Sequence, residues 1–110
     1  MKVYYKPTCI TCKRTISELD RLKKDVEKRD FFKEPFSESE IKKILKMSGL
    51  KPQELLRKRD KKFKELNLDK KQLLDSKLIK LMSEHPGLIR RPIIIHKDKA
   101  YVGKVDTRII

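Results

Sequence analysis

The stretch KVYYKPTCITC, residues 2–12, contains both cysteines of a 110-residue chain, Cys9 and Cys12. Its first four residues favour a β-strand, which Pro7 ends. Thr8 is a candidate N-cap, so we expect a helix to begin at or near Cys9. A thiol at a helix N-terminus meets unpaired backbone N–H groups and the positive end of the helix dipole. Both favour the thiolate, which is the reactive form of cysteine.

The two cysteines are expected to have different roles. Cys9, at the start of the helix, is the predicted nucleophile. Cys12 lies one helical turn later, where it can attack a mixed disulfide formed on Cys9. The spacing therefore predicts a dithiol that closes into a disulfide and opens again, either in a catalytic cycle or as a sensor without turnover.

The charge composition is compatible with a negatively charged partner or with a solvated surface. The chain has 30 Lys and Arg against 16 Asp and Glu, a formal net charge of +14. Such a balance is typical of proteins that bind nucleic acid, an anionic substrate or an acidic protein. The cations are spread along the chain and alternate with acids, as in residues 38–43, which is equally typical of a solvated surface.

The sequence predicts a cytoplasmic protein without a membrane partner. No apolar run approaches the length needed to span a bilayer, and the N-terminus lacks the apolar core of a signal peptide. In the cytoplasm a close cysteine pair is reduced and is more often catalytic or sensory than structural. The only histidines, His85 and His96, are too far apart for a zinc motif with the cysteines, so we expect no metal and no cofactor.

The remaining elements alternate between strand and helix patterns. Residues 26–32 could form a second strand, and a capping box at Ser37 and Glu40 predicts a helix that ends near Gly49. Further segments are predicted as a short helix from residue 52, a helix over 68–82, and strands over 93–95 and 100–103. The order is β-α-β, then a helical block, then a β-hairpin. This order predicts an α/β architecture.

Four runs of the sequence, residues 4–12, 32–41, 55–58 and 84–93, follow a known pattern, and EHPGLIRRPI at 84–93 is the most specific of them. On these runs nearly the whole chain resembles the arsenate reductase (ArsC)/Spx family of the thioredoxin superfamily. The resemblance implies a thioredoxin-like fold and a single domain, residues 1–110. Its helical insertion, at approximately 37–86, would lie between the N-terminal β-α-β and the C-terminal β-hairpin.

The resemblance also implies further site residues. Pro92 would be a cis-proline that shapes the site and brings Arg91 beside the cysteines as an anion or thiolate partner. Arg57 matches a second oxyanion-holding arginine of the family, and Arg59 resembles the arginine near the redox switch of Spx-type proteins. The family's third oxyanion arginine falls at Lys104 in this chain.

Functions of several kinds follow from the resemblance. One is a thiol–disulfide oxidoreductase that works with a cellular thiol system (glutathione/glutaredoxin or thioredoxin) or with a protein disulfide. Another is a Spx-like redox-sensing transcriptional regulator that binds the RNA polymerase α subunit. Arsenate reduction is a third, but Cys12 is typical of Spx rather than of single-cysteine arsenate reductases, and Tyr5 stands where those enzymes have histidine. A monomer is expected.

Overall fold

The computed structural model describes residues 1–104 and residue 107. The chain divides into two compact units, Met1–Glu34 with Arg91–Ile110, and Pro35–Arg90. The first unit contains β1 (Lys2–Tyr5), α1 (Ile10–Arg21), β2 (Glu27–Asp30), β3 (Ile93–His96) and β4 (Lys99–Val102). The second contains α2 (Glu38–Ser48), α3 (Pro52–Leu55), α4 (Lys61–Glu65), α5 (Asp75–Glu84) and a 3₁₀ turn, Pro86–Leu88.

The first unit is built on a four-stranded mixed sheet in the order β2-β1-β3-β4. β1 pairs in parallel with β2 and antiparallel with β3, and β3 and β4 form a hairpin. Val3 on the central strand lies opposite Lys28 on one side and Ile94 on the other. The predicted α/β class, with its β-α-β start and late hairpin, is confirmed.

The core of the first unit determines which face of α1 turns inward. Val3, Leu19 and Ile94 are fully buried and form its centre. The buried residues of α1 are Cys12, Thr15 and Leu19, which share one side of the helix because they are separated by three and four residues. Packing of this stripe against the sheet therefore places the Cys12 side chain inside the unit, whereas Cys9, before the first turn, is only half-buried.

The second unit is helical, and its longest helix has the predicted ends. The Ser37 hydroxyl accepts from the Glu40 N–H, and the Glu40 carboxylate accepts from the Ser37 N–H, which completes the capping box of α2. Gly49 ends the helix in the left-handed region at φ +72°, where a side chain would be strained. The apolar faces of α2 and α5 pack together, which buries Ile41 and Met82 completely.

Two predicted elements are wrong in extent. The helix predicted over 68–82 begins only at Asp75. Asn67 ends the preceding turn at φ +52°, and the exposed polar residues 69–72 offer no apolar stripe that tertiary packing could stabilise. The second strand ends at Asp30 instead of continuing to Phe32, and its four residues are all charged, because it lies at the edge of the sheet.

None of the helices in the described part of the chain is long and apolar enough to cross a membrane.

Candidate functional site

Cys9 is itself the N-cap of α1, so the prediction of Thr8 as cap is wrong. The Cys9 N–H donates to the Lys6 carbonyl at 3.0 Å, which closes a turn that contains Pro7 and Thr8. Cys9 then adopts the extended conformation of a cap, with φ −81° and ψ +121°. Its Sγ atom accepts a hydrogen bond from the backbone N–H of Cys12 at 3.4 Å. The sulfur thus takes the place that a hydroxyl or carboxylate oxygen usually has at a helix start.

The two thiols differ in exposure. Both cysteines are free, Cys9 is half-buried, and Cys12 has no exposed surface. A reagent or substrate that approaches from solvent therefore meets Cys9 first.

Arg91 reaches the same place from the far end of the sequence. β3 runs antiparallel to β1, with Ile93 opposite Tyr4. Residues just before β3 therefore lie at the end of the sheet where β1 continues into the cysteine loop. The Arg91–Pro92 peptide bond is cis, as the resemblance implies, and the Pro92 carbonyl accepts from the Gly103 N–H at 2.8 Å. Arg91 is buried, with 9% of its surface exposed, and its side chain donates a hydrogen bond to Cys9.

These neighbours lower the pKa of Cys9. Partial burial, the largest single effect, acts to raise the pKa above its usual value of 9.0. It is outweighed by the sum of the hydrogen bonds from the Cys12 backbone and thiol, the hydrogen bond from Arg91, and the positive charge of Arg91. Each of these favours the thiolate because it stabilises negative charge on the sulfur.

Cys12 is shifted in the opposite direction. Burial raises the pKa of the Cys12 thiol to about 12, and the hydrogen bond to Cys9 and the negative charge of Cys9 add to this effect. A hydrogen bond from the Lys6 backbone and the charge of Arg91 oppose it without cancelling it. At neutral pH the pair therefore consists of a thiolate-prone outer sulfur and a protonated inner one.

An aromatic ring lies beside the cations of the site. Phe32 follows β2, and its ring centroid lies 4.7 Å from Lys6 Nζ and 5.2 Å from Arg91 Cζ. Phe32 is the last residue of the predicted second strand, and neither Phe32 nor Lys6 was a predicted site residue. The available signal was position: Phe32 follows a strand parallel to β1, so it lies at the same edge of the sheet as the cysteine loop.

The other two predicted arginines lie in the second unit. The Arg57 N–H donates to the Leu88 carbonyl at 2.7 Å, and its guanidinium pairs with the Asp60 carboxylate at 3.7 Å. Arg59 is exposed. The structure thus brings Cys9, Cys12, Arg91 and Pro92 together within one unit, whereas the roles of Arg57 and Arg59 remain predictions.

The third oxyanion position, Lys104, lies in the first unit just after β4 and is exposed. Over residues 1–104 and 107, no group of three or more His, Cys, Asp or Glu side chains is placed to hold a metal ion.

Comparison with known proteins supplies the context for this geometry. A sequence model of the ArsC family matches residues 4–109. The global transcriptional regulator Spx of Bacillus subtilis is 37% identical over 101 residues, which cover 92% of this chain and 77% of that protein. The Spx of Enterococcus faecalis is 34% identical over 103 residues, with 94% and 78% covered. Among solved structures, an arsenate reductase from Vibrio cholerae is similar with a TM-score of 0.87 and 31% identity, over 94% of this chain and 90% of that one.

Proposed function

We propose, since this chain belongs to the ArsC family, that it is a thiol–disulfide redox protein in which Cys9 attacks and Cys12 resolves. The observation that carries the proposal is the opposite shift of two neighbouring thiol pKa values: that of Cys9 is lowered and that of Cys12 is raised to about 12. A pair that cycles needs one sulfur to be ionised and accessible while the other waits as a thiol.

In the proposed cycle a substrate disulfide is the oxidant of the two cysteines. The Cys9 thiolate attacks one sulfur of the substrate disulfide, forms a mixed disulfide and releases the other sulfur as a thiolate. Cys12 then loses its proton to solvent and attacks Cys9 Sγ, which expels the second substrate thiolate. The substrate gains two electrons, and the protein keeps a Cys9–Cys12 disulfide.

The order of the two steps is supported by the causes of the Cys12 shift. While Cys9 is an anion, its charge and its hydrogen bond with Cys12 help to keep Cys12 protonated. A mixed disulfide on Cys9 removes that negative charge, whereas Arg91 remains in place. Burial, the largest cause of the raised pKa of Cys12, persists, but loss of the Cys9 charge lowers that pKa and so favours the second step after the first.

The reset of the disulfide would use thioredoxin or glutathione with glutaredoxin. These systems keep thiols reduced in the cytoplasm, where we place the cycle.

A trapping experiment tests the assignment of roles. A Cys12→Ser variant should hold a substrate thiol on Cys9 as a stable mixed disulfide, because the attack that releases it is missing. The matched Cys9→Ser variant should hold none, since its buried Cys12 cannot be reached. Equal capture by both variants, or capture on Cys12 alone, would contradict the assignment of Cys9 as the attacking sulfur.

A second candidate function is regulation of transcription. It is favoured by the 37% identity to the global transcriptional regulator Spx over 92% of this chain. In this case the same disulfide is a switch, which changes a protein surface without turnover. The RNA polymerase α subunit is the partner proposed from the resemblance, and Arg59, exposed in the second unit, is the residue proposed to respond.

Purified polymerase α subunit distinguishes the two candidates. A regulator should bind it with an affinity that differs between the dithiol and disulfide forms, and an Arg59→Ala variant should weaken that binding. A protein that reduces small disulfides with turnover and binds the subunit in neither form is an oxidoreductase. Arsenate-dependent oxidation of a coupled thiol such as glutathione, retained in Cys12→Ser, would instead indicate arsenate reduction.

A further inference from the structure

We propose that Phe32 is a positioning residue for the dithiol, because its ring holds the Arg91 guanidinium at Cys9 and the Lys6 segment at both cysteines. The inference deepens the proposed function and rests on it. It begins from the two cations near the ring, Lys6 Nζ at 4.7 Å and Arg91 Cζ at 5.2 Å from its centroid. Both lie within the distance of about 6 Å at which a ring attracts a cation.

The ring is itself held in place by the residues around it. The Asp30 carboxylate accepts from the Phe32 N–H at 2.9 Å and from the Lys33 N–H at 3.2 Å, so the chain turns sharply after β2. The Phe32 ring also packs against the ring of Phe31, with centroids 5.1 Å apart and an interplanar angle of 60°. Phe31 is fully buried. The backbone at Phe32 is therefore held by Asp30, and its half-buried ring rests against a buried neighbour.

Each residue whose cation contacts the ring also contacts the cysteines, Arg91 through its side chain and Lys6 through its backbone. The Arg91 side chain donates a hydrogen bond to Cys9. The Lys6 carbonyl accepts from the Cys9 N–H, and the Lys6 backbone donates to Cys12. Phe32 is thus the common neighbour of the two residues that contact the dithiol from different parts of the chain.

The physical effect is a loss of freedom before any reaction. An arginine side chain has many rotamers, and their entropy favours positions away from any single partner. Contact with the ring restricts the guanidinium to the neighbourhood of Cys9, where it stabilises the thiolate. A residue that only filled space at position 32 would not require an aromatic face.

The test compares variants by the pH dependence of Cys9 modification. Reduced protein is treated with iodoacetamide at a series of pH values, and the Cys9 peptide is quantified by mass spectrometry. For Phe32→Leu we expect the pH midpoint of Cys9 modification to be higher than in wild type. At pH values below the midpoints of both proteins, the modification rate of the variant should be about two- to fivefold lower, as the loss of a cation–π contact implies. Phe32→Trp should keep the wild-type profile.

Two further proteins separate positioning from folding. Incorporation of 3,4,5-trifluorophenylalanine at position 32 keeps the shape of the ring but weakens its attraction for cations, so it should shift the midpoint in the same direction as Phe32→Leu. Tyr4→Leu is the matched control, because the Tyr4 ring also lies near two cations, Lys2 at 5.9 Å and Arg29 at 5.8 Å. Neither Lys2 nor Arg29 is among the groups that shift the pKa of Cys9, so Tyr4→Leu should leave the Cys9 profile unchanged.

These experiments can contradict the positioning role of Phe32 without contradicting the proposed disulfide cycle. An unchanged midpoint in the trifluoro protein overturns the positioning role, even where Phe32→Leu fails to fold, and leaves the disulfide cycle intact. An equal shift in Tyr4→Leu overturns it as well. If wild-type protein forms no Cys9–Cys12 disulfide, the proposed function fails, whereas a shifted midpoint would still support Phe32 as the residue that positions Arg91.

Discussion

The backbone N–H of Cys12 donates a hydrogen bond to the Sγ atom of Cys9 across 3.4 Å. One sulfur therefore has two tasks, since it caps helix α1 and is also the proposed nucleophile. The same bond joins the two members of the pair, so the start of the helix fixes the position of each sulfur relative to the other. Reactivity and local stability depend on one atom.

This double task makes a prediction about stability. Serine is a preferred N-cap residue and its oxygen accepts hydrogen bonds more strongly than sulfur does. Cys9→Ser should therefore be at least as stable as wild type, although it cannot form a disulfide. Cys9→Ala, which loses the cap, should be less stable than Cys9→Ser by about 1 kcal/mol. Urea unfolding of the reduced proteins measures both, and equal stability of the two variants would show that the cap contributes nothing.

The two thiols should react with iodoacetamide at very different pH. Cys9 has a lowered pKa, so its thiolate is already populated below the usual value of 9.0. Cys12, with a pKa raised to about 12, should remain unmodified over the same range. Peptide mass spectrometry of reduced protein measures both sites. In urea both cysteines should react alike, which is the control; preferential modification of Cys12 in folded protein would contradict the assignment.

Removal of the Arg91 charge should raise the pKa of Cys9. The arginine donates a hydrogen bond to Cys9 and places a positive charge near it, and both effects lower the pKa. Arg91→Met should move the Cys9 midpoint upward, so that the thiolate fraction falls at every pH below the new midpoint. Arg91→Lys keeps the charge but loses the planar fork, so its Cys9 midpoint should lie between those of wild type and Arg91→Met. A midpoint unaffected by Arg91→Met would exclude the arginine as a thiolate partner.

In the second unit, Gly87 is close to the Asp60 carboxylate. A Cβ atom at position 87 would lie 2.8 Å from Asp60 Oδ1 and 3.0 Å from Oδ2. The carboxylate has little freedom to move, because it caps α4 through the Lys62 N–H at 2.9 Å and pairs with Arg57. Gly87→Ala should therefore destabilise the protein by about 1–3 kcal/mol.

The Asp60 background provides the control for this prediction. In Asp60→Ala there is no carboxylate to displace, so the further change Gly87→Ala should cost much less. A double-mutant cycle by urea unfolding measures the difference. Equal costs in the two backgrounds would show that the close approach to Asp60 is not the cause.

Features set by neighbouring residues could be predicted from the sequence. The capping box at Ser37 and Glu40 and the strand from Ile93 follow from spacing and residue type within a few positions. The helix predicted over 68–82 was wrong in its first part: Leu74 is 78% exposed, whereas Leu78 and Met82, within the observed helix, are buried. Local helix propensity does not show whether a segment will pack against the rest of the protein.

The candidate site was predictable only in part for the same reason. Cys9 and Cys12 are neighbours in sequence, so their pairing could be predicted from spacing alone. Arg91 entered through the resemblance, since more than seventy residues separate it from the cysteines. The role of Phe32 requires the end of β2, the cysteine loop and the segment before β3 to converge, and no local pattern encodes that convergence.

The central claim is that Cys9 and Cys12 form a reversible disulfide, and a redox titration tests it most directly. The protein is equilibrated in glutathione buffers of graded ratio, quenched with acid, alkylated and weighed by mass spectrometry. We predict one two-electron transition, with loss of two hydrogens and a Cys9–Cys12 linked peptide, at a midpoint between about −300 and −120 mV, the range of active rather than structural disulfides. Two alkylated cysteines at every ratio, or disulfides only between chains, would contradict the account.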